Sequence, residues 1–156
     1  MSPVVTRALT LLGAVLVLAG VNASILHKER VVRTGQTIYL ALAPVDPRSL
    51  MQGDYMALRF RLADDIERWR EDAPRARSAP LVLDERGVAS LAVDGGPLEI
   101  AFKIRGDRVW LGTNAYFFEE GTAGRYTDAR FGEFRLDPSS GEAVLVGLRD
   151  AELNPL

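Results

Sequence analysis

The sequence predicts a mainly β protein: a small antiparallel β sandwich or open barrel with one short helix, preceded by a single N-terminal transmembrane helix. Two observations predict this architecture. An uncharged apolar segment occupies residues 8–26, and apolar and polar residues alternate through much of the chain after it. A length of 156 residues fits one domain after such a segment. We therefore divide the chain into a tail (residues 1–7), an anchor (residues 8–26) and an extracytoplasmic β domain (residues 27–156).

The apolar segment has the length that a bilayer requires. Nineteen helical residues at about 1.5 Å each span roughly 28 Å, close to the ~30 Å hydrocarbon thickness. Arg7 flanks one end, and His27, Lys28 and Arg30 flank the other. A core helix that is apolar around its whole circumference is unusual in so small a domain, so we expect residues 8–26 to contact the lipid bilayer.

The same segment also resembles a cleaved signal peptide, because Val21-Asn22-Ala23 suits cleavage after Ala23. The apolar stretch continues through Ile25 and Leu26, however, beyond the roughly 7–15 residues of a typical cleaved segment, which favours an uncleaved signal anchor. The flanking cations do not fix the orientation, but the short tail fits an N-terminus inside the cell. We expect one crossing of the inner (cytoplasmic) membrane and a periplasmic C-terminal domain.

Composition excludes several classes of function. The absence of Cys excludes disulfides, thiolate metal sites and a Cys nucleophile. A formal net charge of −2 provides no global basic field for nucleic acid. The single His excludes a His-pair metal motif, and Asp64, Asp65 and Glu67 fit helix capping better than calcium binding. We therefore expect no cofactor, no metal and no nucleic-acid partner.

Three segments alternate as half-buried strands of antiparallel sheets do. Their apolar positions are Ile38, Leu40 and Leu42; Met56, Leu58, Phe60 and Leu62; and Leu98, Ile100, Phe102 and Ile104. Weaker strand-like runs lie at residues 81–83, 88–93, 108–111, 115–118, 131–136 and 143–148. Gly106-Asp107 lies between two such runs and predicts a tight hairpin.

One short helix is predicted after the second alternating segment. Asp64 is placed to cap it, Glu67 lies three residues on as in a capping box, and Ile66 and Trp69 would share a face. This pairing places Trp69 in the core. Alternation along its own strand places Trp110 on the opposite, exposed face.

A short motif joins a Gly-Asp-Tyr run to two spaced apolar residues: Gly53, Asp54, Tyr55, Leu58 and Phe60. Residues 117–133 form a second block and residues 147–150 a third. Together they resemble the GDYXXLXY family over about residues 31–153, with Phe60 where the family name has Tyr. The resemblance implies a bacterial, membrane-anchored protein of uncharacterised function, often encoded beside or fused to polytopic membrane proteins. It implies no catalytic residue.

The motif also has a structural interpretation. Gly53 permits a positive φ and Asp54 can accept backbone N–H bonds, so the pair would turn the chain and set the register of the strand at Tyr55. Leu58 and Phe60 would share the buried face of that strand. An interaction role for the motif remains the alternative.

Glu120 is the best candidate for a functional carboxylate, because it precedes Gly121 at a turn in the second block. The alternative is an ordinary ion pair with Arg125 or Arg130. Tyr39, Tyr55 and Trp110 would form an aromatic patch, of the kind enriched at protein contacts, if their strands are neighbours.

Three functions follow. The first is a non-enzymatic accessory or interaction domain that works with an integral membrane protein. The second is an extracytoplasmic ligand-binding or sensing module, which a deep apolar pocket beside Tyr55 or Glu120 would favour. The third is a Ser–Lys hydrolase using Ser49 and Lys103, because the flanking sequences resemble type I signal peptidases. Lys103 lies on a polar strand face and Val45 stands where the nucleophile would align, so we predict no catalytic residue.

Overall fold

The computed structural model describes residues 3–43, 51–52 and 55–156. Two α-helices occur in these ranges, α1 (Pro3–Thr34) and α2 (Arg61–Trp69), with a short 3-10 helix at Ala123–Tyr126. The strands are β1 (Gln36–Ala41), β2 (Met51–Gln52), β3 (Tyr55–Ala57), β4 (Ser78–Leu83), β5 (Ala89–Leu91), β6 (Leu98–Ala101), β7 (Lys103–Arg105), β8 (Arg108–Trp110), β9 (Ala115–Phe117), β10 (Phe131–Leu136) and β11 (Ala143–Arg149). The predicted mainly β class is confirmed.

The helix α1 is far longer than the predicted anchor. Its 32 residues extend about 48 Å, and Leu9–Thr34 is long and apolar enough to cross a membrane, with its most apolar window wholly unburied. The helix continues past Leu26 because residues 27–34 contain no Gly or Pro. A Cβ on Gly35 would lie 2.5 Å from the carbonyl oxygen of Val31, so only glycine fits this helix end.

The strands form several small antiparallel sheets, and the part of the chain that the structure describes contains no closed barrel. The strand orders are β1-β10-β11, β2-β3-β9, β5-β4-β6 and β7-β8. The predicted hairpin at Gly106-Asp107 is confirmed. β7 and β8 are paired with Arg105 directly opposite Arg108, and Gly106 in the turn has φ +60°.

The prediction that one alternating set of side chains faces the core is confirmed, since Met56, Leu58, Phe60 and Leu62 are all buried. The strand itself is shorter than the pattern suggests, because β3 ends at Ala57. Phe60 then forms an isolated antiparallel bridge to Leu42, and Leu62 belongs to α2. The apolar period therefore marks what is buried, not the length of hydrogen-bonded strand.

The predicted start of the short helix is wrong. α2 begins at Arg61 after Phe60, which makes no side-chain capping bond, so Asp64 lies inside the first turn. There Asp64 pairs with Arg59 (Nη2–Oδ1 2.8 Å) and places negative charge at the positive end of the helix dipole. Glu67 does not close a capping box; its Oε1 accepts the backbone N–H of Val109 at 2.8 Å and ties α2 to β8.

One hydrophobic core receives side chains from α2 and all four sheets. Its largest fully buried side chains are Phe134, Ile38, Leu40, Ile66, Leu81, Ile100, Leu111, Leu136 and Leu148. Trp69 packs partly buried against this core, as its pairing with Ile66 predicts. The sheets are thus layers around a single core of one domain.

Candidate functional site

The motif strand begins at Tyr55, because Gly53 and Asp54 lie outside the described residues. Tyr55 is half-buried and stands directly opposite Phe117 of β9. Their ring centroids are 5.7 Å apart, within the range of favourable aromatic contacts. The turn role predicted for Gly53 and Asp54 stays a prediction.

Leu58 and Phe60 connect two sheets. The backbone N–H of Leu58 donates to the carbonyl oxygen of Asn114 at 2.7 Å, which prolongs the pairing of β3 with β9. Phe60 packs edge-on against Phe134 of β10, with ring centroids 5.2 Å apart. A Cβ on Gly132 would lie 2.9 Å from the Phe60 ring, so a glycine of the second block makes room for the aromatic residue of the motif.

Glu120 is exposed in the turn after β9, and Gly121 beside it has φ +81°. Among the described residues Glu120 has no hydrogen bond or ion pair, so the pairing with Arg125 or Arg130 does not occur there. Arg130 instead donates to the carbonyl oxygen of Ala129 at 2.9 Å. Glu120 is therefore a solvated carboxylate at a surface turn.

A buried ion pair that the sequence did not indicate joins the second and third blocks. Glu133 of β10 is only 6% exposed. Its Oε2 accepts two hydrogen bonds from Arg149, one from Nε at 2.7 Å and one from Nη2. Arg135 approaches the other carboxylate oxygen at 3.5 Å. Phe131, Glu133 and Arg135 alternate away from the core, so this pair covers the outer face of the sheet. Its role is to hold β10 and β11 together.

The aromatic patch does not form as proposed. Tyr39, Tyr55 and Trp110 lie in three different sheets, so their strands are not hydrogen-bonded neighbours. Tyr39 lies against Gly87, whereas Tyr55 contacts Phe117. Trp110 is half-buried and carries the guanidinium of Arg105 over its ring at 4.4 Å, a cation–π contact.

An open groove of about 750 Å³ runs beside Trp110, between the β7–β8 hairpin, β9 and β11. We call it the basic groove; among its lining residues are Lys28, Lys103, Arg105, Trp110, Phe117 and Glu142. Phe117 is 75% exposed. The groove adjoins the partner of Tyr55 and lies away from Glu120.

The Ser–Lys pair receives no geometric support. Ser49 lies outside the described residues, and Lys103 is an exposed residue on the rim of the basic groove. A lysine base for a serine nucleophile requires a desolvated amine, which an exposed side chain does not provide. No cluster of three metal-ligating side chains occurs in residues 3–43, 51–52 and 55–156, a range that includes Asp64 and Glu67.

The junction between α1 and the β domain is built by residues beyond the apolar segment. Val31, near the C-terminal end of α1, is buried, with 2% exposure. Glu142, which follows the β10–β11 turn, binds His27 Nε2 at 2.8 Å and Lys28 Nζ at 2.7 Å. The sequence predicted His27 and Lys28 only as flanking cations, and their shared carboxylate lies more than a hundred residues away.

Hydrogen bonds lower the pKa of two carboxyl groups at this junction and in the adjacent turn. The bond from Lys28 lowers the pKa of Glu142 below its ordinary value, with a smaller contribution from His27, so the carboxylate stays ionised in mild acid. In the adjacent turn, hydrogen bonds from Ser139 and Ser140 lower the pKa of Asp137 to about 2. In the basic groove, burial raises the pKa of the Tyr116 hydroxyl, assisted by its hydrogen bond with Tyr126.

Comparison with known proteins identifies a family. The family model described as GDYXXLXY protein matches residues 17–148, which covers most of the chain. The match includes the motif strand, the second block and the second half of the apolar helix. No curated protein and no solved structure matches the chain.

Proposed function

Because this chain belongs to the GDYXXLXY family, a family of uncharacterised function, we propose that it is a membrane-anchored, non-enzymatic accessory domain that works with an integral membrane partner. The anchor is residues 8–26 in the inner (cytoplasmic) membrane, and the β domain lies in the periplasm. The observation that carries this proposal is the unbroken passage of α1 from an unburied apolar span into a docked junction with the domain.

The junction supports a role that depends on position. Val31, His27 and Lys28 follow the apolar segment within about two helical turns, and all three contact or pack against the β domain. Apolar burial and ion pairing, in place of a flexible linker, therefore hold the domain beside the membrane surface. A domain held in this way presents the same face to a membrane neighbour at every encounter, which reduces the entropic cost of recognition.

The absence of catalysis is supported by the exposure of the side chains that chemistry would use. Lys103 and Glu120 are both exposed, and within the described part of the chain neither has a hydrogen-bonding partner that would orient it for proton transfer.

Anchoring is tested by fractionation of the full chain carrying a C-terminal tag. We expect it to remain in membranes after alkaline carbonate washing and to be released by mild detergent. The double variant Leu16→Lys, Val17→Lys should be lost from membranes, because each lysine at mid-span costs about 2.5–3.5 kcal/mol. The matched control places lysines at Val82 and Val93, two exposed domain positions, and should stay bound.

A full-length chain of intact mass in the soluble fraction would contradict the anchoring. Protease added to spheroplasts tests the orientation: we expect digestion of the β domain while the membrane remains sealed. Protection of the tag under these conditions would place the domain inside the cell and overturn the periplasmic assignment.

The partner is tested by photo-crosslinking in intact membranes. A photoreactive residue at Phe117, on the rim of the basic groove, should yield a discrete adduct with an integral membrane protein. The same residue at Val93, exposed on the loop after β5, should not. Alanine at Tyr55 and Trp110 should reduce co-purification of that protein. Equal or absent crosslinking at the two positions would contradict partner recognition through this face.

The basic groove favours a second candidate function, a ligand-binding module. Its volume of about 750 Å³ lies within the ~300–1,000 Å³ of small-molecule sites. The groove combines apolar walls with a few charged groups, which is the usual composition of such sites.

A further inference from the structure

We propose that the basic groove binds an anionic phospholipid of the bilayer in which α1 is anchored, with the phosphate held by Lys103 and Arg105. This inference rests on the proposed membrane anchoring and adds a ligand class to it.

The charge of the groove is uncompensated. Lys103 and Arg105 have no carboxylate partner among the described residues, because the contact of Arg105 is with the Trp110 ring. The carboxylate of Glu142 is already bound by Lys28 and His27. A chain with a formal net charge of −2 therefore presents a local cationic site, and an anion is the complementary ligand.

The geometry of Arg105 suits a phosphate. Stacking over Trp110 at 4.4 Å restricts the guanidinium plane, so less conformational freedom is lost when its N–H groups bind phosphate oxygens. Lys103 lies two residues away on the same strand face and adds a second positive charge.

The walls of the groove suit a chain of methylene groups. Trp110, Tyr116 and Leu145 line it, and the exposed Phe117 ring stands at its rim. Exposed apolar surface beside two cationic side chains favours an amphiphile over a free inorganic anion. Only an amphiphile covers the apolar surface and also places a negative charge beside the cations.

The position of the groove identifies the source of the amphiphile. Lys28, one of its lining residues, lies two residues beyond Leu26, which is a rise of about 3 Å along the helix from the end of the apolar segment. That depth corresponds to the headgroup layer of the bilayer. A headgroup of the surrounding lipid would therefore lie beside the groove, and an anionic headgroup is the one that complements its charge.

The experiment uses the full-length chain in phosphatidylcholine nanodiscs that contain a minor fraction of phosphatidylglycerol. A Trp69→Phe background leaves Trp110 as the single tryptophan, since the chain has two. Bromine is placed on the acyl chains of either the phosphatidylglycerol or an equal fraction of the phosphatidylcholine. We expect at least about threefold stronger quenching of Trp110 by brominated phosphatidylglycerol, because each basic residue strengthens binding to anionic lipid several-fold.

The variant Lys103→Gln, Arg105→Gln should abolish this preference, measured against unbrominated discs so that loss of stacking does not affect the ratio. Both side chains are exposed, so the fold is expected to persist. Arg105→Lys keeps the charge and should retain a preference. The matched control Arg61→Gln, Arg75→Gln removes two exposed charges outside the groove and should retain it in full.

Equal quenching by the two lipids, or a preference that survives Lys103→Gln, Arg105→Gln, overturns the lipid site while leaving the anchoring intact. Tight binding of a soluble acidic peptide without any lipid preference overturns it as well. A chain that does not enter nanodiscs overturns both the lipid site and the anchoring.

Discussion

Replacing Val31 with alanine is expected to loosen the β domain from α1 more than removing the carboxylate of Glu142. Val31 is 2% exposed, and losing its two methyl groups costs about 1–2 kcal/mol of transfer free energy plus a cavity contribution. The ion pairs of Glu142 join side chains that are 32% exposed on Glu142, 58% on Lys28 and 45% on His27. Solvent screens such pairs, so together they contribute about 1 kcal/mol or less.

Pulsed electron paramagnetic resonance measures this docking directly. The sequence has no Cys, so cysteines introduced at Arg30 and Val93 are the only labelling sites. Val31→Ala should broaden the distance distribution between the two labels, and Glu142→Gln should broaden it less. A distribution that is unchanged by Val31→Ala, or broadened more by Glu142→Gln, would refute the view that apolar burial dominates the junction.

The distance distribution should also depend on pH, and the direction of this dependence follows from the lowered pKa of Glu142. Because Lys28 lowers the pKa of Glu142 in the folded state, the stabilisation is fully present above the ordinary carboxyl pKa of about 4.5 and is lost as the pH falls through the lowered value. The wild-type distribution should therefore broaden in acid below that ordinary pKa. Glu142→Gln removes this component, and an unchanged acid transition in the variant would contradict the assignment.

The remaining predictions concern the stability of the domain, measured by chemical denaturation. Phe134→Ala should cost about 3–5 kcal/mol, because the ring is fully buried in the core. Arg149→Met should cost about 3–5 kcal/mol by leaving Glu133 buried without its main partner, and adding Glu133→Gln should recover part of that loss. Gly112→Ala should cost about 2 kcal/mol, since φ is +72° and the new Cβ would lie 2.7 Å from a carbonyl oxygen of β11. Gly147→Ala, with open space around it, should be nearly neutral, and equal losses at the two glycines would contradict this reasoning.

Burial was the most predictable feature of the sequence. The period of two correctly identified Met56, Leu58 and Phe60 as buried, and the Gly106-Asp107 turn correctly identified a hairpin. The pattern did not show where hydrogen bonding stops, because burial and strand pairing are separate properties of the same residues. The capping signal also misplaced the start of α2, since the helix begins at Arg61 and not after an acidic cap at Asp64.

The polar contacts of the candidate site were less predictable. Glu133 with Arg149, and Glu142 with His27 and Lys28, are pairs between strands or between helix and turn. Their formation depends on register, which one sequence does not encode locally. The only local signal for Glu133 was its place in a strand-like run that also carries Arg135.

The continuity of α1 has a mechanical consequence. Transmembrane helices tilt by about 20° on average, and the tilt changes with the thickness of the surrounding bilayer. If α1 is anchored as we propose, its last turns stay docked on the β domain, so any change in tilt would rotate the whole β domain about the membrane surface. The protein would then convert local membrane thickness into a change in the angle of its outer surface.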